Sequence, residues 1–392
     1  MSSVLVINTG SSSLKFGIYA DQQPVIRGVV ERVGSRPTLT LSHDNVDGDD
    51  FPAAERGHKA AASALLDWLD SHEYLTDIQA IGHRVVHGGQ RLQGPVLLDA
   101  TVRDYLASLI PLAPLHQPQA LAIAEHLQDR YPELPHVVCV DTAFHRTQPW
   151  VNQQFALPRH LMDNGILRYG FHGLSYASIA RRLGQYLGEK ADGRIIVAHL
   201  GQGCSLCALH RRQSQATSMG FTALDGLMMG RRCGSLDPGV ILYLQRQQGW
   251  SADAVEHMLY HDSGLYGVSE LSDDLRDLEV SDDPKAQQAI DLFINRVTQG
   301  IGALCALLEG LDALVFTAGI GEHSHSIRNA VCRRLAWLGI RIDDHANECH
   351  ASRIDAGRGP AVLVIPTDEE EEIAIATRRM AAYPHPGPSG RE

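Results

Sequence analysis

Two stretches of this chain follow one plan: VLVINTGSSSLKFGIY at 4–19 and IIVAHLGQGCSLCALH at 195–210. Each runs from an apolar strand through a Gly/polar turn of about six residues into a returning strand. They lie close to half of the 392-residue chain apart. A repeat at that spacing predicts a duplicated fold of two similar halves with the functional site in the cleft between them. A third strand-to-glycine turn, ALVFTAGIGEHSHSIRNA at 313–330, runs straight into a helical pattern. Any one of these turns alone reads as a plain hairpin. Three of them, each after a buried-type strand, point to backbone N–H groups gathered for phosphate. The chain carries no Walker loop, and no dinucleotide fingerprint follows its first strand.

The charge balance fits a local anion site. Lys+Arg 34 against Asp+Glu 46 gives a net charge of −12, which argues against non-specific binding to nucleic acid or to an anionic membrane. No apolar run approaches the roughly 18–20 residues that span a bilayer, and the N-terminus lacks the basic region of a signal peptide, so a cytoplasmic protein is expected. Seven scattered cysteines do not form a disulfide framework. Cys204-Ser-Leu-Cys207 matches C-x-x-C, but it has no second ligand pair for zinc and sits in a strand pattern. Two strand cysteines are expected there.

Strands are expected near 4–7, 14–19, 79–87, 136–140, 194–199, 205–209, 313–317 and 361–365, and the strongest helix over 284–309. In that helix Ile290, Phe293, Ile294, Val297, Ile301, Leu304 and Leu308 recur at three- and four-residue steps, a stripe made to pack on a sheet. The mixture predicts an α/β protein. Residues 37–58 read as a loop or weak hairpin, and the tail 383–392 as disordered.

Several segments carry chemistry. In AIGHRVVHGG (80–89), strand alternation places Arg84 and Val86 on one face and His83, Val85 and His87 on the other. An arginine fork beside a valine suits a small carboxylate; pairing with a structural acid explains Arg84 equally well. Asp141 ends a buried-type strand, where it orients a nucleophile, holds Mg²⁺ or merely caps a turn. His172, in RYGFHGLS just before a helix, either steadies a phosphoryl group or is structural. The Gly-rich segment 219–239 holds Arg231 and Arg232, of which one is expected to be functional and one solvated. Asp274 and Arg276 are available to a base or ribose, or form a solvated helix face. Thr367 with Glu370 fits a capping box, which leaves Glu369 as the acid for Mg²⁺.

Taken together, NTGSSSLKF, GHRVVHGG, PLAPLH, DTAFH, RYGFHGLS, HLGQGCS, GLMMGRRCGSLDPG, FTAGIGEHS and PTDEEEEIAIA resemble, in order and over about 1–380, the acetate and propionate kinase family. The resemblance implies the duplicated actin-like ATPase (ribonuclease H-like) fold: a first lobe over 1–146, a second over 147–367 that also dimerises, and a C-terminal helix 368–385 packing back on the first. It implies a homodimer that makes acetyl phosphate from ATP and acetate with Mg²⁺, Mn²⁺ being an alternative, on a route to acetyl-CoA. Propionate or a broader short-chain acid is the alternative substrate. A partner-regulating actin- or Hsp70-like ATPase module is a different-class reading, and the paired arginines and the Arg84/Val86 face argue against it.

Carried over residue by residue, the resemblance makes Arg84 and Arg232 the acyl phosphate clamps, Asp141 a positioning acid and His172 the group that steadies the transferring phosphoryl. Asn8 and Glu369 serve phosphate and Mg²⁺, with Ser13 and Lys15 in the same motif. His199, Gly201, Gln202 and Gly203 meet the nucleotide phosphates. Asp274, Leu275, Arg276, Gly319, Ile320, Gly321 and His323 surround the adenosine. Val86, Leu115, Phe171 and Ala223 form the acyl pocket. Departures from the family's pattern are Gln202 for Asn, Leu174 and Tyr176 within its HGTSH, Ala223 for Pro, His323 for Asn, and Asp368 in its TNEE.

Overall fold

The computed structural model describes residues 3–10, 13–21, 23–33, 36–42, 51 and 57–382. The chain forms two compact units, Met1–Ala143 with Asp368–Glu392, and Phe144–Thr367.

The first unit is built on strands β1 (Ser3–Thr9), β2 (Leu14–Ala20), β3 (Gln23–Glu31), β4 (Thr38–Leu41), β5 (Ile78–Val85), β6 (Val96–Leu97) and β7 (His136–Val140). They form one sheet in the order β4-β3-β2-β1-β5-β7-β6. The second unit holds β8 (Arg194–Leu200), β9 (Cys204–His210), β10 (Gln213–Thr217), β11 (Ala313–Thr317) and β12 (Ala361–Val364), ordered β10-β9-β8-β11-β12. The duplication is explicit in the pairing. β1 runs antiparallel to β2 and parallel to β5, which runs parallel to β7. β8 runs antiparallel to β9 and parallel to β11, which runs parallel to β12.

Buried apolar runs make these central strands. All seven residues of β1 and all five of β11 are buried, the pattern of strands covered on both faces. In the first unit the helix Glu369–Ala381 packs across β1, β5 and β7. In the second, the helix Pro284–Leu308 begins at Asp283, whose carboxylate accepts from Lys285 N–H at 2.8 Å, and lays its Phe293, Val297 and Ile301 stripe against β8 and β9.

Three expectations need correction. β3, β6 and β10 were not anticipated: burial alternates along β3, with Ile26, Gly28 and Val30 inward, β6 is only two residues long, and β10 carries a single apolar residue, Ala216. Within 37–58, Thr38–Leu41 is a strand on β3 and the helix His58–Ser71 starts at its end; 43–50 and 52–56 lie outside the described residues, as do Ser11, Ser12 and the tail 383–392. The capping box is also displaced. Asp368, not Thr367, is the N-cap of Glu369–Ala381, accepting from Glu371 N–H at 2.8 Å. The helix starts one residue later than a Thr367 cap requires, so Glu370 is released from the box.

Two fully buried histidines couple the fold to pH. His83 Nε2 meets His136 Nδ1 at 2.9 Å, and burial, reinforced by His136, lowers the His83 pKa to about 3. His145 lies between Ser214 Oγ and Phe171 O, and burial lowers it to about 4 against the pull of that carbonyl. Both are neutral in the folded chain and titrate near 6.5 when unfolded. Their stabilisation is therefore intact above pH 6.5 and is lost as pH falls toward about 3 to 4. Urea unfolding should show a loss of about 2 kcal/mol per histidine between pH 7 and pH 5. The loss should shrink in His145→Gln, and a flat wild-type profile contradicts the assignment.

Candidate active site

In the first unit, parallel pairing brings the ends of three neighbouring strands together. Asn8 stands near the end of β1, Arg84 near the end of β5, and Asp141 follows β7. Arg84 forks onto Asp141, Nε to Oδ1 at 3.0 Å and Nη2 to Oδ2 at 2.7 Å. Its Nη1 donates to Asn8 Oδ1 at 3.0 Å and lies 3.8 Å from Glu369 Oε2. Asn8 Nδ2 donates to Glu369 Oε2 at 3.1 Å and to Glu370 Oε1 at 2.7 Å. Burial works against charge on Arg84, but Asp141, Glu369 and Glu370 outweigh it and raise its pKa.

Glu370 is thus part of this cluster, a position the capping-box reading concealed. Gly10 N–H closes the first turn on Ser13 O at 2.9 Å. Lys15 is exposed on β2, opposite Asn8 in register. Val86 is buried just past β5, and Leu115 is exposed.

In the second unit, His172 is the N-cap of the helix Gly173–Leu187 and sits in the left-handed region at φ 58°. A non-glycine residue there costs roughly 1 kcal/mol or more and marks an imposed conformation. Its ring stacks on His199 with centroids 4.2 Å apart, and its Nδ1 meets Ser205 Oγ at 2.8 Å. His199 Nδ1 meets Ser175 Oγ at 2.8 Å, and Ser175 accepts from Thr367 Oγ1 at 2.8 Å.

The turn between β8 and β9 needs glycine. A Cβ on Gly203 would lie 2.9 Å from Arg232 Nη2 and 3.1 Å from His172 Nε2. Arg232 and His172 therefore converge on this turn. Arg232 donates to Ala223 O at 2.6 Å and has no carboxylate partner among the described residues; burial lowers its pKa. Arg231 is the tethered member of the pair, bound to Asp273 at 2.9 Å and to His261 O at 3.1 Å. Phe171 is buried beside His172.

A cavity of about 400 Å³ opens beside the same turn. Gly201, Gln202, Asp274, Leu275, Arg276, Gly319, Ile320 and His323 line it, together with Asp273, Glu279 and Ser324, which the sequence did not single out. Gly321 is buried in the short helix Ala318–His323. The turn into that helix is not an open phosphate cradle. Glu322 Oε1 accepts from Ala318 N–H at 2.7 Å and from Thr367 N–H at 3.1 Å. The carboxylate already sits where a phosphate oxygen would go.

Cys204 and Cys207 are free, and burial pushes each thiol up to about 12, so neither serves as a thiolate.

The second unit thus holds an arginine and a histidine on a glycine turn beside a cavity, and the first unit an arginine–carboxylate cluster at its strand ends. The chain matches the Acetokinase family over residues 3–376. It is 48% identical over 395 residues to an acetate kinase of Rhodopseudomonas palustris, covering 96% of this chain and 98% of the relative. It superposes on a propionate kinase from Francisella tularensis (36% identity, TM-score 0.90, 97% of this chain and 100% of that one). An acetate kinase from Porphyromonas gingivalis is comparable at 34% identity and TM-score 0.87, with the same two coverages. The chain belongs to the acetokinase family, and its fold is the duplicated actin-like one those kinases share.

The two arginines differ in a way that can be measured. Arg84→Ala takes the bidentate guanidinium away from the buried Asp141 and should destabilise the fold by about 3–5 kcal/mol. Arg232→Ala removes a half-buried cation that has no carboxylate partner among the described residues, so stability should stay within about 1 kcal/mol of the parent or rise. Both should lose activity. Equal stability losses in urea unfolding would contradict this distinction.

Proposed function

We propose that the protein transfers the γ-phosphoryl group of ATP to acetate, reversibly and in line, giving acetyl phosphate and ADP. The observation that carries this reading is Arg232, a half-buried guanidinium with no carboxylate partner among the described residues, held with His172 on the Gly203 turn. A cation in that state needs an anionic ligand. The acetate kinases among the relatives supply the chemistry of that ligand.

A carboxylate is already a nucleophile, so no general base is required. Catalysis is then positioning plus neutralisation of charge on the equatorial oxygens. Arg84, oriented by Asp141, binds the acetate carboxylate, while Arg232 and His172 donate to the transferring phosphoryl group. The Gly201–Gly203 turn and His199 face the nucleotide phosphates. The cavity beside Asp274, Leu275, Arg276, Gly319, Ile320 and His323 takes the nucleoside. Val86, Leu115, Phe171 and Ala223 bound the methyl group.

Glu369 and Glu370, bridged by the Asn8 amide, offer hard oxygen donors suited to Mg²⁺. No described cluster of three or more such ligands stands ready, so nucleotide oxygens would complete the shell. Mg²⁺, or Mn²⁺ in its place, supplies neutralisation of the β- and γ-phosphate charge.

Two further parts of the reading concern setting. The helix Pro238–Gln247 buries none of its residues and exposes Val240, Leu242 and Tyr243, with Leu236 and Trp250 exposed nearby. Covering that face is the role proposed for a second copy of the chain. Free cysteines throughout suit a reducing cytoplasm, and no described helix is long and apolar enough to cross a membrane.

Trapping the product as hydroxamate tests the reaction. Acetate should lead propionate and butyrate in kcat/KM, within the roughly 10–200-fold that one methylene can discriminate. No hydroxamate from any of the three acids removes the kinase reading. Sedimentation should find a dimer in the wild type and a monomer in Leu242→Glu/Tyr243→Glu.

A further inference from the structure

We infer that Tyr176 and Ser205 form a hydroxyl relay that fixes the tautomer of His172 and leaves its Nε2–H as the donor turned toward the Gly203 turn. The significance of that donor rests on the phosphoryl-transfer reading; the relay itself rests on the side chains alone.

Tyr176 is fully buried, in the first turn of the helix that His172 caps. Burial raises its phenol pKa well above the usual value, with Cys207 adding to the effect, so the phenol always carries its proton. That proton must be placed. Ser205 Oγ is the phenol's hydrogen-bond partner, and leaving the O–H unpaired would cost about 1–3 kcal/mol. Tyr176 therefore donates to Ser205. Ser205, also fully buried, spends its own proton on its other neighbour, His172 Nδ1 at 2.8 Å. A ring nitrogen that accepts has no hydrogen, so the imidazole proton resides on Nε2.

The reverse order, His172 Nδ1–H to Ser205 to the phenol oxygen, strands the phenol proton in the core. The relay thus has one low-energy direction. Its outcome is a donor pointed at the place where Arg232 also arrives, 3.1 Å from the position of a Gly203 Cβ.

Register supports the geometry, because Ser205 on β9 pairs directly with His199 on β8, which places its hydroxyl beside the stacked imidazoles. Tyr176 and Ser205 are positioning residues, and neither is proposed to touch the phosphoryl group.

The test is a long-range ¹H–¹⁵N correlation spectrum of the ligand-free full-length protein with ¹⁵N-labelled histidine at neutral pH, with His172 identified by the signal lost in His172→Gln. The expected wild-type result is a protonated Nε2 and an unprotonated Nδ1. A proton on Nδ1 overturns the inference without reference to any variant. In Ser205→Ala the tautomer signals should become mixed, and kcat for hydroxamate formation should fall about tenfold, as for a misaligned donor, with the KM for acetate within about twofold. Ser205→Thr, which keeps the hydroxyl, should restore both. Unchanged tautomer signals and kcat in Ser205→Ala also overturn it. Absence of hydroxamate from the wild type would defeat the kinase reading and leave the tautomer measurement standing.

Discussion

Parallel pairing of the central strands is the constraint on which both units depend. Parallel neighbours deliver their carboxyl ends to one edge of a sheet, where side chains far apart in sequence meet. Asn8, Arg84 and Asp141 meet in the first unit because β1, β5 and β7 are adjacent and co-directional. The same device in the second unit gathers His199 at the end of β8, Thr317 and Ala318 at the end of β11, and Thr367 beyond β12. The antiparallel hairpins β1–β2 and β8–β9 supply two of the glycine turns. One supersecondary plan, used twice, thus produces two polar edges of different charge.

The difference in charge follows from what each edge must hold unaided. In the first unit a cation and three carboxylates are mutually satisfied through Asn8, so the cluster is preorganised. Arg84 is fixed by a bidentate fork, which aims what remains of its guanidinium. In the second unit, among the described residues, Arg232 is braced by a backbone carbonyl, while Arg231 beside it is held by Asp273 and His261. Two adjacent arginines of identical chemistry therefore differ in whether a counter-charge has been provided. That difference, not the number of arginines, marks an anion site.

Much of this was legible in the sequence, and the reasons are specific. The repeated strand–turn–strand pattern exposes the duplication because continuous burial leaves continuous apolar runs. β3 escaped because its apolar residues alternate. Arg84, Asp141, His172 and Arg232 were readable because each abuts a glycine turn or a strand end. Ser205, Tyr176 and Glu370 were not. The first two act only through another side chain, across a strand pair and a helix turn that spacing does not reveal. Glu370 was assigned a cap by a motif that Asp368 fills one residue later, and only the helix start settles which acid is left over.

The three glycine turns look alike in sequence, yet electrostatics separates them. At the β8–β9 turn the approaching groups are Arg232 and His172. At the turn after β11, Glu322 takes the Ala318 N–H, which is held at a positive φ of 66°, and Thr367 N–H with the same oxygen. A carboxylate in that place repels a phosphate and removes the first amide of the helix from use. Gly319 and Ile320, one step further on, line the cavity. Under the proposed reading, the charged end of the nucleotide would lie on the Gly201–Gly203 turn and its neutral end against Gly319 and Ile320. What distinguishes the two turns is which of them carries its own carboxylate.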